Sequence, residues 1–432
     1  MIKIRTKLIP YITPAIFFLL PWQVRYIFDQ QLIVGEQFEF GVISLYIVEL
    51  LVVLAFIVYG RLRICRAHKK TVGFSFLILC LALISTLWAV NGAVAFGQFV
   101  HILVAMMLFL LLLDSRTNLR WVAIGFVAGL VIPIGLGLWQ VIVGGSIAST
   151  WLGLAARDAQ TLGDAVFALD DGTRILRAYG SFGHPNTFGG YLVIGILSLL
   201  IFPVSSLHRQ GSIDRRSVIW WTAIIILLIG LIITYSQSAW IALIVGLASG
   251  VSVLIYLRHP ERAKRVEGSI QTRFKLIAGA FTVLILLGSV FGVLALDRIG
   301  QGQSSITERA DQYQEWPSIA SDSMLLGAGF GNYTYAIEQF DQAREWWQYQ
   351  PVHNAPMLIV GELGIFGLVL IGLWAASIDK LNFARLPARA PTVALMMGCA
   401  LLVIAGLDHY LWTQWAGLAL VVYVMALTAR VE

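Results

Sequence analysis

The sequence predicts an all-α integral membrane protein, and three observations support this prediction. Of its 432 residues, 58% are hydrophobic and only 12% are charged, whereas soluble domains are roughly 25% charged. The mean hydropathy is +0.80. Apolar runs of about 17 to 25 residues, long enough to cross a hydrocarbon core of roughly 30 Å, recur from one end of the chain to the other. We therefore expect a single polytopic membrane domain over residues 1–432.

The positions of the apolar runs predict about twelve transmembrane helices in one bundle. They are expected near residues 8–28, 43–60, 72–90, 95–113, 121–143, 187–203, 218–236, 239–257, 276–296, 355–376, 392–408 and 411–428. The first is interpreted as an uncleaved span, because no small-residue cleavage site follows it and Pro10, Pro14 and Pro21 interrupt it.

Basic residues predict the orientation. With both termini in the cytoplasm, most of the 30 Lys and Arg residues flank the spans on the cytoplasmic side, as the positive-inside rule requires. The exceptions are Arg25, Arg157, Arg174, Arg177, Arg298, Arg309 and Arg344. The two longest polar segments, residues 144–186 and 297–354, then form loops on the same external face, the second with short helices of its own. Loops of this length usually have a function.

Several classes of site are not expected. The three cysteines, Cys65, Cys80 and Cys399, lie in a short basic loop and two apolar runs, so they indicate neither a disulfide framework nor a zinc site. The net charge of +6 is spread along the span ends, which argues against nucleic acid as a partner. Asp170 and Asp171 alone are poor evidence for a metal site, and we predict no metal ion and no other cofactor.

Polar side chains gather where the external loops meet the spans. They are basic, imidazole or amide groups, namely Arg174, Arg177, His184, Asn186, Arg309, His353 and Asn354. A charge near the bilayer is costly and is usually paired or functional. For each residue taken singly, however, a side chain that reaches interfacial water is an equally good interpretation.

Taken together, these groups suit the cleavage of a bond to a phosphate leaving group. A guanidinium binds phosphate oxygens through two hydrogen bonds and keeps its proton, and Arg177 and Arg309 fit that role. An attacking hydroxyl needs a base that is neutral near pH 7, which favours histidine. His353 is the first choice and His184 the second.

Three further motifs have structural as well as functional interpretations. Glu362 lies about two turns below His353 in the tenth predicted span and should face the bundle interior, where it bonds a neighbouring helix or orients a catalytic group. The GAGFGN sequence around Gly329 is first a tight turn, and its N–H groups could alternatively face an anion. Asp408 and His409 are expected to form a hydrogen-bond cluster between two spans.

Several of these motifs resemble the superfamily of O-antigen ligases and Wzy-type polymerases. The matching features are Arg177 with Gly180, His184-Pro185-Asn186, the TYSQSAW hairpin at 234–240, the GAGFGN turn and above all His353-Asn354 with Gly364 and Gly367. The likeness extends from about Leu176 to Leu370. In one departure, Ser236-Gln237-Ser238 stands where many relatives carry Ser-Arg, so a cation is missing from the hairpin.

The resemblance implies a GT-C-like glycosyltransferase of the bacterial inner membrane that acts on the external face without a metal. Such enzymes move a glycan from an undecaprenyl diphosphate carrier to an acceptor hydroxyl with inversion at the anomeric carbon. The roles implied by the motifs are diphosphate binding by Arg177 and Arg309, acceptor activation by His353, substrate contact by Arg174, His184, Asn186, Asn354 and Gly329, and support by Glu362.

Other functions remain open at this point. A polymerase would join lipid-linked repeat units with the same chemistry as a ligase. A transporter or flippase of lipid-linked sugars would make no bonds, but the sparse intramembrane charges and the lack of paired, broken helices in matching halves argue against it. A scaffold in a polysaccharide assembly complex is a weaker alternative.

Overall fold

The computed structural model describes residues 2–161, 163–169, 171–202, 215–257, 302–378 and 389–430. The predicted span near residues 276–296 and the start of the second predicted loop, residues 297–301, lie outside these ranges. The described residues are mostly helical, as expected.

The helices agree with most of the predicted spans. They are α1 (Ile2–Leu19), α2 (Ile47–Tyr59), α3 (Lys69–Ser85), α4 (Gly92–Leu113), α5 (Leu119–Val143), α6 (Pro185–Ile201), α7 (Arg215–Thr234), α8 (Gln237–Leu257), α9 (Gly302–Ala320), α10 (Tyr333–Phe340), α11 (Ala355–Ala376), α12 (Arg389–Leu407), α13 (Tyr410–Thr413) and α14 (Trp415–Arg430). Among the described residues, five segments are long and apolar enough to cross a membrane: Arg66–Ser85, Gly92–Leu113, Leu119–Val143, Ser217–Thr234 and Ala355–Ala376. The other apolar helices are shorter, so the number twelve stays a prediction.

Three short antiparallel strand pairs accompany the helices among the described residues, and the fold stays consistent with the predicted all-α membrane protein. The pairs are β1 (Arg25–Ile33) with β2 (Glu36–Tyr46), β3 (Gly145–Ser146) with β4 (Arg157–Asp158), and β5 (Val166–Ala168) with β6 (Arg174–Leu176). The first hairpin occupies residues that were assigned to the ends of the first two spans. The chain reverses at Val34 and Gly35, which have φ angles of 44° and 84°, the positive values that tight hairpin turns require. Apolar content alone did not reveal that turn.

The core of the bundle surrounds α6, whose side chains are buried along almost its whole length. The Tyr191 hydroxyl donates to the carbonyl of Ala416 at 2.7 Å. The ring of Phe126 lies 5.4 Å from that of Tyr191 and 5.1 Å from that of Tyr423. Because α6 is enclosed by other helices, its first residues are held in a fixed position at one end of the bundle.

That end, which we call the loop end, comprises the segments 20–46, 86–91, 144–161, 163–169, 171–184, 235–236, 302–354 and 408–414. Hydrogen bonds connect these segments: the Val34 N–H donates to Glu338 at 2.7 Å, and the Asn91 side chain donates to Gln31 at 3.1 Å. The Ser181 hydroxyl donates to the Pro21 carbonyl at 2.6 Å. The loop end is therefore a connected structure built from distant parts of the sequence.

Helix α11 is interrupted at Gly364, which has a φ of 69°. The turn at residues 327–332 closes the interruption. The N–H of Ala328 donates to the Gly361 carbonyl at 2.8 Å, and the N–H of Gly329 donates to the Glu362 carbonyl at 2.9 Å. The N–H of Ile365 donates to Met324 at 2.9 Å. Backbone groups released by a break inside a bundle are costly unless they are bonded in this way.

Candidate active site at the loop end

Helix α11 begins with an asparagine cap. The Asn354 Oδ1 accepts a hydrogen bond from the Met357 N–H at 3.0 Å, and its Nδ2 donates to the Gly406 carbonyl near the end of α12 at 3.2 Å. This side chain satisfies one of the N–H groups that a helix start leaves unpaired. Because Asn354 performs the capping, the preceding residue, His353, is not needed for it.

His353 is half-buried and lies against α9. The Oε1 atom of Gln312 is 3.1 Å from the His353 backbone N and 2.9 Å from its Nδ1. Two other α9 side chains bond the start of α11: the Tyr313 hydroxyl donates to the His353 carbonyl at 3.4 Å and the Trp316 Nε1 donates to the Met357 carbonyl at 3.0 Å. Helix α9 therefore fixes both the backbone and the ring of His353.

Helix α6 begins with a histidine cap. The Nδ1 of His184 accepts a hydrogen bond from the Asn186 N–H at 3.1 Å. The Asn186 Oδ1 accepts from the Arg177 Nη2 at 2.6 Å, and the Asn186 Nδ2 donates to Asp408 Oδ2 at 2.8 Å. The Arg177 Nε donates to the carbonyl of Thr234, the last residue of α7, at 2.9 Å. Asn186 thus links a cation and a carboxylate from two distant segments.

The N-terminal ends of α6 and α11 meet at Asp408 and His409, which lie between α12 and α13. The ring of His409 packs edge-on against that of His353, with centroids 5.2 Å apart. Electrostatic interactions with His409, His184 and His353 lower the pKa of Asp408. Arg309 is half-buried on α9, and its positive charge contributes to lowering the pKa of His409. The structure therefore brings Arg177, His184, Asn186, Arg309 and His353 into one neighbourhood.

Burial controls the protonation of this cluster. It lowers the pKa of His184 to about 3, with a further contribution from Arg177. It also lowers the pKa of His409 to about 4, although Asp408 opposes the change. Burial acts to raise the pKa of Asp408, but His409, His184 and His353 outweigh it, so that this pKa lies below its usual value. At pH 7 His184 and His409 are therefore neutral and Asp408 is ionised.

Two other predicted site residues make contacts elsewhere. The Arg174 Nε donates to the Ala159 carbonyl at 2.7 Å and its Nη2 to the Thr161 carbonyl at 3.3 Å, so that this side chain ties together the loop before α6. The Gly329 N–H donates to the Glu362 carbonyl on α11. A Cβ at Gly329 would collide with Ala89. Their contacts with substrate stay predictions.

Glu362 faces the bundle interior, as expected, with 2% of its surface exposed. Its Oε2 accepts a hydrogen bond from the Trp412 Nε1 at 2.7 Å. A carboxyl group of the chain itself therefore lies next to the GAGFGN turn, whose Gly329 N–H donates to the Glu362 backbone carbonyl. Through Trp412, Glu362 also holds α13, the short helix that follows His409.

Three residues at this site were not predicted to act there. Asp408 and His409 were assigned to a helix-end cluster, which they do form, and that cluster is part of the site. Gln312 was not singled out at all. The available signal was its spacing, because Gln312 follows Arg309 by three residues and therefore lies on the same face of α9.

Comparison with known protein families gives one match, to the family described as O-antigen ligase, over residues 222–372. This segment is similar to the O-antigen ligase family. It includes Arg309, Gln312, His353, Asn354 and Glu362 and supports a ligase or polymerase type of function. Comparison with curated proteins gives no match.

The matched segment spans about a third of the chain, from α7 to α11. Arg177, His184 and Asp408 lie outside it, yet they contact or influence residues of the site within it. The family match and the apolar helices together indicate a multi-pass inner-membrane protein, and lipid-linked glycans are the substrates that the matched family implies.

Proposed function

We propose that this protein is a bacterial inner-membrane glycosyltransferase that moves a glycan from an undecaprenyl diphosphate carrier to an acceptor hydroxyl. The observation that carries the proposal is the shared neighbourhood of Arg177, Arg309 and His353 around Asp408 and His409. The O-antigen ligase match supports the same class of reaction.

In the proposed reaction, His353 is the general base. Its neutral imidazole takes the proton of the acceptor hydroxyl while the oxygen forms a bond to the anomeric carbon. The bond from that carbon to the diphosphate oxygen breaks on the opposite face, so the configuration inverts and the electron pair leaves with undecaprenyl diphosphate. The imidazolium then returns its proton to water. The negative charge of Asp408, which acts on His353, stabilises the imidazolium while it exists.

Arg177 and Arg309 bind the diphosphate in this proposal. Thr234 and Asn186 fix the guanidinium of Arg177 through hydrogen bonds of 2.9 and 2.6 Å. A donor held in place before the reaction stabilises developing negative charge more than a mobile one, and a single such donor is worth about 3 kcal/mol. The two guanidinium groups supply the positive charge that stabilises the leaving diphosphate. In this proposal no metal or other cofactor takes part.

The loop end faces away from the cytoplasm in this proposal, and both termini are cytoplasmic. The distribution of basic residues supports this orientation. Residues 144–186 and 297–354 are then external loops, and the polyprenyl tail of the donor lies in apolar grooves between the helices. The other partners are the acceptor, a glycan or a lipid, and the membrane lipid itself.

Reconstituted protein tests the proposal. Purified protein in liposomes is given a labelled glycan on undecaprenyl diphosphate together with candidate acceptors, and the transferred label is measured. Arg177→Gln and Arg309→Gln should each lower the rate by about 10² to 10³-fold. Arg120→Gln is the matched control, because Arg120 is exposed at the opposite end of the bundle. Equal rates for all three variants would contradict the assignment of the diphosphate site.

The same assay separates the alternatives. Lengthening of the glycan when lipid-linked repeats are the only substrate indicates a polymerase, whereas transfer only to a second acceptor indicates a ligase. If label crosses the membrane without formation of a new glycosidic bond, and His353→Ala leaves this movement intact, the protein is a transporter and the proposed reaction is wrong.

A further inference from the structure

The contact between Gln312 and His353 determines which ring nitrogen of His353 carries the proton. The Gln312 Oε1 lies 3.1 Å from the His353 backbone N and 2.9 Å from its Nδ1. A backbone N–H is always a donor, so the side-chain atom that it meets must be the amide oxygen of Gln312. That oxygen can only accept. The Nδ1 that approaches it must therefore be the N–H nitrogen.

We propose that Gln312 is a positioning residue that holds neutral His353 with its proton on Nδ1, so that Nε2 carries the lone pair and acts as the base. This proposal rests on the proposed function, because it assigns the nitrogen that removes the acceptor proton. Neutral imidazole in water prefers the opposite tautomer, with its proton on Nε2. Gln312 therefore reverses the intrinsic preference of the ring.

His184, the alternative base, has the opposite assignment. Its Nδ1 accepts a hydrogen bond from the Asn186 N–H at 3.1 Å, so this nitrogen carries the lone pair and Nε2 carries the proton. In its neutral form His184 offers a donor at Nε2 rather than a base. The two hydrogen-bond patterns distinguish the histidines without any assumption about the substrate.

The rigidity of α9 supports the assignment. Trp316 fixes α9 to Met357 at 3.0 Å. Arg344 forms ion pairs with Glu315 on α9 at 3.1 Å and with Asp341 at 3.0 Å. Gln312 is thus carried by a helix that Glu315 and Trp316, one turn further along, fix to two other segments.

The tautomer can be measured without catalysis. Solid-state ¹⁵N NMR of protein in lipid, labelled at the imidazole nitrogens of its seven histidines, gives different shifts for protonated and unprotonated ring nitrogens. The His353 signals are assigned by their loss in His353→Asn. We expect a protonated Nδ1 and an unprotonated Nε2 near neutral pH. The reverse pattern in the wild-type protein would overturn the proposal, whatever reaction the protein catalyses.

Two substitutions test the role of the acceptor atom. Gln312→Leu removes it and should shift His353 towards the tautomer with the proton on Nε2. The transfer rate should fall by about 10²-fold, the lower end of the range for general base catalysis, with an unchanged KM for the donor. Gln312→Glu keeps an acceptor and should restore the tautomer and most of the rate at high pH.

Gln312→Glu should also move the acidic limb of the pH profile upwards by about one unit, because a carboxylate beside the ring favours the imidazolium. The other groups that act within this cluster, namely His409, Asp408, His184 and Arg309, are unchanged by the substitution. A purely structural role for Gln312 predicts no such shift in the pH profile.

Gln314→Leu and Gln314→Glu are the matched controls, because Gln314 is exposed on the same helix. They should change neither the tautomer nor the pH profile. If Gln312→Leu retains the wild-type tautomer and rate, Gln312 is not a positioning residue. If wild-type protein transfers no glycan, the proposed function fails, and the NMR measurement still decides the tautomer.

Discussion

The starts of α6 and α11 are built from similar residues but leave their histidines in different states. At α6 the sequence is His184-Pro185-Asn186, and the histidine itself caps the helix through its Nδ1. At α11 it is His353-Asn354, and the asparagine is the cap. The residue that caps the helix thus decides whether the histidine is occupied by the backbone or held by a partner on another helix.

The comparison shows why residue type alone does not identify a base. Both histidines lie at the loop end and both act on Asp408. Only His353 has a partner that places the proton on Nδ1. His184 is itself the cap of its helix and is structural, whereas His353 precedes the cap by one residue and is a candidate base.

The largest expected effect comes from replacing each histidine by the same residue. His353→Asn removes the proposed base, so the transfer rate should fall by about 10² to 10⁴-fold. His184→Asn keeps a good capping residue and should cost less than about tenfold, because a capping substitution perturbs positions and not the proton transfer itself. Initial rates of glycan transfer by the two variants decide between them, and a larger loss for His184→Asn would reverse the assignment.

The next effect concerns the break in α11, a feature that α6 lacks. Gly364→Ala should destabilise the protein by at least about 2 kcal/mol, because alanine is strained at a φ of 69° and its Cβ would collide with the Leu325 carbonyl. The midpoint of thermal unfolding in detergent, followed by the loss of monodisperse protein, measures this change.

Gly372→Ala is the control for that experiment, because it lies on the same helix and its Cβ would meet no atom within 4 Å. It should be neutral or stabilise the protein by up to about 1 kcal/mol, the difference in helix propensity. Equal midpoints for the two alanine variants would show that the 327–332 turn does not require a glycine at the break.

A smaller effect is expected at the α11 cap. Asn354→Ala loses the bonds to Met357 and Gly406 and should lower the free energy of unfolding by about 1 to 2 kcal/mol. Asn354→Asp keeps the bond to the Met357 N–H and should recover about half of that loss. Chemical denaturation compares the three proteins, and no difference between Ala and Asp would argue against a capping role.

The last prediction concerns the pH dependence of stability. The pKa values of His184 and His409 are lowered to about 3 and about 4 from 6.5, so between pH 6.5 and 4 the unfolded chain binds more protons than the folded one. Stability should therefore be full above pH 6.5 and fall as the pH decreases, by at most about 1.4 kcal/mol per unit for each group.

His184→Asn removes one of these groups and should reduce that slope. Thermal midpoints of the wild-type protein and the variant between pH 7 and 5 measure the difference. An unchanged slope would indicate that His184 is protonated in the folded protein as readily as in the unfolded one.

The sequence was sufficient for the features that depend on local composition. The bounds of α11 were predicted at 355–376, where they lie, because a long apolar run directly follows a capping asparagine. The strand pairing at Arg25–Tyr46 was missed: its two ends were assigned to the first two spans and residues 29–42 to the loop between them, and only the backbone at Val34 shows the tight reversal.

The missing parts of the site depend on distant contacts. Asn186 and Asp408 are 222 positions apart, and no local pattern joins them. Gln312 carries no chemical signature of its own, and its importance follows from one oxygen that faces two nitrogens of His353. Neither relation can be obtained from spacing along the chain.

The turn at residues 327–332, which closes the break in α11, has a consequence for how this site could be exchanged between proteins. Residues 302–365 contain Arg309, Gln312, His353, the turn and both sides of the interruption, and they bond to one another. Recombination that moves this stretch as a whole would carry an already oriented imidazole into a new host chain. The recipient would have to supply the counterparts of Arg177, Asn186, Asp408 and His409.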